Sequence, residues 1–521
     1  MKLNYKRTLF VGFAFFLICT FWQAYDNTIP LILTNKFGMS QTWSGLIMAL
    51  DNILALFMLP LFGAISDRTN TKLGRRTPFI LTGTIVAALA FIALSFVDGK
   101  QLEMISDVSA IDDPAALSVI YDTEADAQLL TPDGEAFVLS EEISKEEFTA
   151  ITSQITDDAG KTKTNPAYTK YVVPARAAVA RERTHAAPKS LILFIILLLV
   201  TLVAMATFRS PAVALMPDVT IKPLRSKANA VINLMGSAGG ILVLVLGMVF
   251  ATSSVKNSLM PYTEYFTVIA GIMLVALFIF MMKVHEPQFV REMHEESRRF
   301  GIEDKEEEKE EGKTGVKLGK GELRSLIFIL LSIVLWFAGY NAVTSKYSVY
   351  ASTILHKDYN LTLIIAQAAA IISYLPVGII ASKIGRKKTI LAGVVMLAAA
   401  FGIASFMRAD SPTMLMNCMF ALAGIAWATI NVNSFPMVVE MCSGADVGRY
   451  TGFYYTASMA AQVATPIFSG FLMDRLGMTV LFPYATIFVA CAFVTMLFVR
   501  HGDSKPVAKK GMEALEDMDA D

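Results

Sequence analysis

The chain has 521 residues, 54% of them hydrophobic and only 17% charged, with 45 basic residues against 45 acidic ones. A soluble domain carries roughly 25% charge, and collagen-like or disordered chains lack uninterrupted apolar blocks, so the composition leaves a membrane protein. The balanced charge offers none of the basic excess that nucleic acid attracts, so the lipid bilayer is expected as a partner and nucleic acid is not.

Crossing about 30 Å of hydrocarbon takes about 20 apolar residues in a helix. Twelve blocks reach or approach that length, near 8–33, 41–66, 77–97, 190–216, 226–251, 261–283, 323–351, 361–382, 387–407, 411–440, 446–473 and 477–500. The first follows Lys2, Lys6 and Arg7 and runs through Trp22 to Ile32 without a small-residue cleavage site, so it reads as a retained span. Basic residues crowd the loops joining spans 2 and 3 (Arg68, Lys72, Arg75, Arg76), 4 and 5 (Lys222, Arg225, Lys227), and 8 and 9 (Lys383, Arg386, Lys387, Lys388). The positive-inside rule then places both termini in the cytoplasm and the loop after span 3 outside. Cys19, Cys418, Cys442 and Cys491 fall in or beside apolar blocks, so no disulfide framework is expected, which points to a bacterial inner membrane.

The expected organisation is spans 1–3 in residues 1–97, an extracytoplasmic insert at 98–189, spans 4–6 in 190–283, a cytoplasmic linker at 284–322, spans 7–12 in 323–500, and a cytoplasmic tail at 501–521. The insert holds 17 acidic against 9 basic residues; its apolar spots, such as Val119, Ile120, Tyr121 and Tyr171, leave a folded subdomain and a disordered loop both open. The linker, rich in Glu and Lys, is expected to be solvated with no apolar face to bury, along with His285 and His294.

Without the 92-residue insert, residues 8–283 number 184, against 178 for residues 323–500. The loop after span 2 reads Gly63, Ala64, Ile65, Ser66, Asp67, Arg68, then Gly74, Arg75, Arg76; that after span 8 reads Gly378, Ile379, Ile380, Ala381, Ser382, Lys383, then Gly385, Arg386, Lys387. Spans 4 and 10 both end on a proline with an acid, Pro217 with Asp218 and Pro436 with Glu440. Two repeated six-helix bundles across a linker are an architecture of alternating-access transporters, with the cargo site at the repeat interface.

The Ser-Asp-Arg and Gly-Arg-Arg runs between spans 2 and 3 resemble the signature loop of the major facilitator superfamily. The continuation through Thr77, Pro78, Phe79 and Ile80, together with Pro211, Asp218, Arg225, Ala228, Asn229 and Ala230, is similar to its glycoside/pentoside/hexuronide cation symporter and sucrose transporter branch. The resemblance covers everything but the insert and tails. It implies an all-α integral membrane fold with twelve helices in two pseudo-symmetric bundles, and cation-coupled symport of a sugar or glycoside. Val213 stands where plant-type sucrose transporters carry an arginine, which argues against sucrose itself.

The residues supply candidates for that chemistry. An ionised carboxylate at mid-membrane costs roughly 2.5 to 3.5 kcal/mol on insertion scales, so Asp26 in span 1 and Asp51, about 15 Å into span 2, call for an explanation. A carboxyl that alternates between dry and wet surroundings takes up and releases a proton; an acid beside amides and carbonyls also suits sodium, and a structural hydrogen bond or a pair with Lys346 or Arg209 is the plainer alternative. No cofactor or resident metal is expected. A neutral sugar needs hydrogen-bonding side chains and an aromatic face, for which the spans offer Trp22, Tyr25, Asn27, Asn229, Asn233, Trp336, Tyr340, Asn341, Gln367, Asn431, Asn433 and Tyr454. Any of these also serves as interhelical glue. Asp67, Arg68, Arg75, Arg76, Arg209, Asp218 and Glu440 are assigned to a cytoplasmic gate, in which Asp67 latches onto a helix opening near Asp446. Phosphate loops, paired metal ligands and nucleophile elbows are absent, so no enzyme is expected. The expected protein is a monomer taking a small-molecule substrate; the alternative reading is an exporter of drugs or amphipathic lipids.

Overall fold

The computed structural model describes residues 3–156, 160, 162–221, 224–300, 319–439, 441 and 447–502. Among them, twelve long helices fall on the twelve apolar blocks. They are α1 (Tyr5–Asn35), α2 (Gln41–Arg68), α3 (Thr77–Met104), α4 (Lys189–Asp218), α5 (Arg225–Val249), α6 (Thr263–Lys283), α7 (Lys320–Leu355), α8 (Tyr359–Ile384), α9 (Arg386–Ala404), α10 (Thr413–Val439), α11 (Val447–Leu476) and α12 (Leu481–Leu497). Ten of the spanning segments are long and apolar enough to cross a membrane by length and composition. Backbone polar groups have no water to bond inside lipid, so only such self-satisfied helices or closed barrels can span it.

One apolar core joins α1 to α6 around Phe21, Phe91, Phe208 and Phe266, and a second joins α7 to α12 around Trp336, Phe401 and Phe482. The halves meet at the ends nearest the insert. There the first turn of α2 and the last turns of α11 touch backbone to backbone: a Cβ on Gly45 would sit 2.0 Å from the Pro466 carbonyl oxygen, and one on Gly470 2.2 Å from that of Gln41. Only glycine permits that approach. Asp474 accepts from the Gln41 and Thr42 backbone N–H groups at 2.7 and 2.8 Å, supplying across the interface the cap that the start of α2 needs. Lys346, fully buried, donates to the Gln41 carbonyl at 2.7 Å. Opposite, Thr252 and Ser253 beyond α5 bond Tyr359 and Asp358 at the start of α8, at 2.7 and 2.9 Å. At the ends nearest the termini no hydrogen bond or ion pair joins the halves among the described residues.

The insert folds. Helices at Pro114–Glu124 and Val173–Ala186 and two antiparallel hairpins, β1 (Gln128–Leu130) with β2 (Ala136–Val138) and β3 (Gln154–Thr156) with β4 (Thr162–Thr164), enclose a core of Ile120, Phe137, Phe148 and Tyr168. Its expected start at residue 98 falls inside α3, which continues to Met104. Asp98 is fully buried there and pairs with the equally buried Lys36 at 2.6 Å, tying the insert's root to the end of α1. The β1–β2 turn reaches the other half, where the Met478 N–H donates to the Pro132 carbonyl at 2.7 Å. The insert therefore touches both bundles.

The start of the linker departs from expectation. Residues Glu286–Arg299 form a helix whose Phe289 and Val290 pack on the N-terminal core. Glu286 is 1% exposed and accepts from the backbone N–H groups of Arg75, Arg76 and Thr77, at 2.8 to 3.0 Å, where α3 begins. The first N–H groups of a helix have no internal partner, and a buried carboxylate satisfies them. His294, expected in solvent, also has a partner.

Candidate functional site

A cavity of about 430 Å³ lies between the bundles, walled by α1 and α5 on one side and α7, α8 and α10 on the other. From α1 come Trp22, Gln23, Asp26 and Asn27, which fall on one face because 22 and 26, and 23 and 27, are each four residues apart. Of the candidates drawn from the sequence, Asn233 on α5, Tyr340 on α7 and Gln367 on α8 join Trp22, Asp26 and Asn27 on this wall. Gln367 donates to the Gln23 side chain at 2.6 Å, joining the two halves at the cavity wall.

The C-terminal wall is aromatic. Tyr340 lies flat on Trp427 of α10, with centroids 3.6 Å apart and planes within 4°, and Phe337 meets the same indole edge-on at 5.2 Å. Trp22 faces the cavity from the other bundle, with the Arg209 guanidinium 5.6 Å from its ring. Several buried polar atoms here have no protein partner: Trp22 Nε1, Asn27 Nδ2 and the Gln367 carbonyl oxygen. Two aromatic faces and orphaned donors and acceptors suit a ring bearing hydroxyls or amides.

A smaller polar cavity of about 120 Å³ adjoins this one and shares Asp26 and Thr344 with it. It also holds Asp51, Asn52, Asn341 and Gln462. Asp51 accepts from Asn52 Nδ2 at 2.8 Å, and among the described residues neither aspartate forms an ion pair. Asp51 and Arg209 both lie within electrostatic reach of Asp26. Pro30 sits one turn beyond Asp26 inside α1, where the i→i−4 ladder lacks its hydrogen bond to the Asp26 carbonyl.

Six of the twelve expected substrate contacts line neither cavity. Tyr25 and Trp336 are fully buried in the cores of their own bundles, Tyr25 against Phe21 and Trp22. Asn229 is buried, one turn before Asn233 on α5. On α10, Asn433 donates to the Thr429 carbonyl at 2.9 Å and Asn431 is buried. The Tyr454 hydroxyl meets Ser434 Oγ at 3.1 Å. Of these contacts the Tyr454–Ser434 bond joins two helices, α11 and α10, whereas Asn433 bonds within α10, and the Tyr25 hydroxyl, Trp336 Nε1 and the Asn229 and Asn431 side-chain oxygens are buried without a protein partner.

Among the described residues, the N-terminal members of the expected gate pair with one another. Arg76, 4% exposed, binds Asp218 at 2.8 Å and Asp67 at 2.5 Å, while Arg75 reaches Asp218 at 2.9 Å. Arg68 is exposed. Glu440 and the region near Asp446 lie outside the described residues. Arg209 is displaced from this group because it sits nine residues before the end of α4, about 14 Å along the axis, which brings it to Trp22 and the aspartates.

Trp427 and Asp474 are marked by no pattern in the sequence. A tryptophan in an apolar helix and an acid near a span's end carry no spacing signal; only the partners, Tyr340 and the start of α2, expose their roles.

Comparison with known proteins agrees with this geometry. Residues 184–372 and 357–516 match the Major Facilitator Superfamily, and residues 11–101 match the MFS/sugar transport protein family. Similar solved structures include the inward open xylose transporter XylE from E. coli (15% identity, TM-score 0.57, covering 99% of both chains). A bacterial homologue of the iron transporter ferroportin is also similar (12%, 0.58, 95% of this chain and 99% of that one), as is the nucleoside transporter NupG (12%, 0.53, 95% and 100%). At these identities the likeness carries the fold, while the sequence matches span most of the chain: it belongs to the major facilitator superfamily.

Proposed function

We propose that this transporter is a proton-coupled symporter that carries a sugar or glycoside across the bacterial inner membrane by alternating access. The observation that carries the reading is the pairing of two cavities that share Asp26, one walled by amides and aromatic rings, the other holding Asp51. Cargo in the larger cavity would sit beside a carboxyl whose water access changes as the halves rock, which is the condition for coupling cargo to a proton. The amide and aspartate wall favours a polar cargo over the drug or lipid of an exporter. With the termini in the cytoplasm, the contacts near the insert close the outer side of the cavity. The family match over residues 11–101 and the likeness to a xylose transporter support a sugar cargo.

The test is uptake of labelled pentoses, hexoses and glycosides into proteoliposomes, with internal and external pH recorded. Sugar-dependent alkalinisation outside, abolished in Asp51→Asn, is expected. Uptake driven by a sodium gradient without proton movement would replace the proton by sodium, and no flux with any sugar would remove the reading.

A further inference from the structure

A third cavity, of about 50 Å³, lies where the insert meets both bundles, and shares no lining residue with the central one. A water needs roughly 10–15 Å³ of such volume, so the space takes several waters or one small polyatomic ion. Arg176, on the insert helix Val173–Ala186, lines it and is only 4% exposed. Its Nη1 donates to the Tyr168 hydroxyl at 2.5 Å, but Nε and Nη2 are buried without a partner. Those two nitrogens share the edge of the guanidinium that grips oxyanions with parallel N–H bonds. Asn35, Thr169, Ser254, Ser258 and Thr353 add polar groups around it.

Nearby carboxylates are engaged elsewhere. Asp112, within electrostatic reach of Tyr168, accepts from the Ser153 backbone and hydroxyl, and Asp358 accepts from Ser253 and Asn360. Neither forms an ion pair with Arg176 among the described residues. A buried guanidinium without a counter-charge is costly, and an anion in the adjoining space removes that cost.

We propose that this junction binds a small inorganic oxyanion, sulfate or phosphate, held by the Arg176 guanidinium and the surrounding hydroxyls. Thr169 and Arg176 belong to the insert, Asn35 and Ser254 to the N-terminal half, and Thr353 to the C-terminal half. The ion therefore favours the state in which all three touch, and external oxyanion slows opening on that side.

The test is equilibrium binding of 35S-sulfate to the purified full-length protein at fixed ionic strength, balanced with gluconate. Saturable binding is expected, about tenfold or more weaker in Arg176→Gln and unchanged in Arg183→Gln, whose side chain pairs with Asp107 on the insert surface. Thr353→Met keeps the arginine, fills the cavity from α7, and should abolish binding in a protein whose thermal unfolding remains cooperative. Equal sulfate binding in wild type, Arg176→Gln and Thr353→Met overturns the proposal. So does stabilisation by anionic phospholipid nanodiscs without binding of free sulfate, which would give the guanidinium to a lipid headgroup.

Discussion

The two bundles repeat one topology but furnish the central cavity differently. The N-terminal half contributes the embedded charges, Asp26 and Asp51 with Arg209 nearby, whereas the C-terminal half contributes the stacked pair Tyr340 and Trp427. A buried cation of that half, Lys346, is spent on the Gln41 carbonyl at the contact between halves. In the proposed symport the acidic groups of coupling come from one repeat, while the cargo meets amides and rings of both, with the stacked aromatic pair on the other repeat.

Substitutions can break that division. The largest effect is expected from Asp51→Asn: accumulation against a gradient is lost, while sugar counterflow, which needs no net proton movement, stays within about threefold of wild type. Proteoliposomes assayed in both modes check this, and loss of both together would place Asp51 in cargo binding instead. Glu286→Ala acts on structure rather than on the cavity. It strands buried N–H groups at the start of α3, at about 1–3 kcal/mol for each group left unsatisfied, and a lower unfolding midpoint with unchanged apparent KM in the surviving protein is the expected reading. On the aromatic side, Trp427→Ala should raise KM about three- to tenfold, the value of one stacking contact, with coupling stoichiometry unchanged. A change in stoichiometry would show that the halves do not divide the task. The smallest effect is expected at the insert's contact. A Cβ on Gly477, which sits at φ +86°, would lie 2.3 Å from the Asp133 carbonyl oxygen. Gly477→Ala should therefore raise the outward-open population by about fivefold for about 1 kcal/mol of lost contact, read as faster labelling of an engineered cavity cysteine from the insert side.

The twelve helices were legible because each needs about 20 apolar residues in a row, a signal that survives without any knowledge of packing. The aspartates stood out for the same reason, as charges where lipid penalises them. Helical periodicity could not separate Asn233, which lines the cavity, from Asn229 one turn earlier, nor Tyr340 from the core residue Trp336, because both members of each pair share a face. Which of them faces the cavity depends on how the neighbouring helices pack. The Glu286 cap was hidden for a different reason: its partners are backbone N–H groups more than 200 positions away, invisible to any local pattern.

The hairpin turn resting on Met478 gives the two end states of the cycle unequal weight. A symmetric rocker would idle with no preference, whereas here, among the described residues, the insert adds a catch at one face from a single place in the chain. Its resting bias can then be retuned by exchanging a few residues around Pro132, far from the cargo, without redesigning the helices that do the carrying.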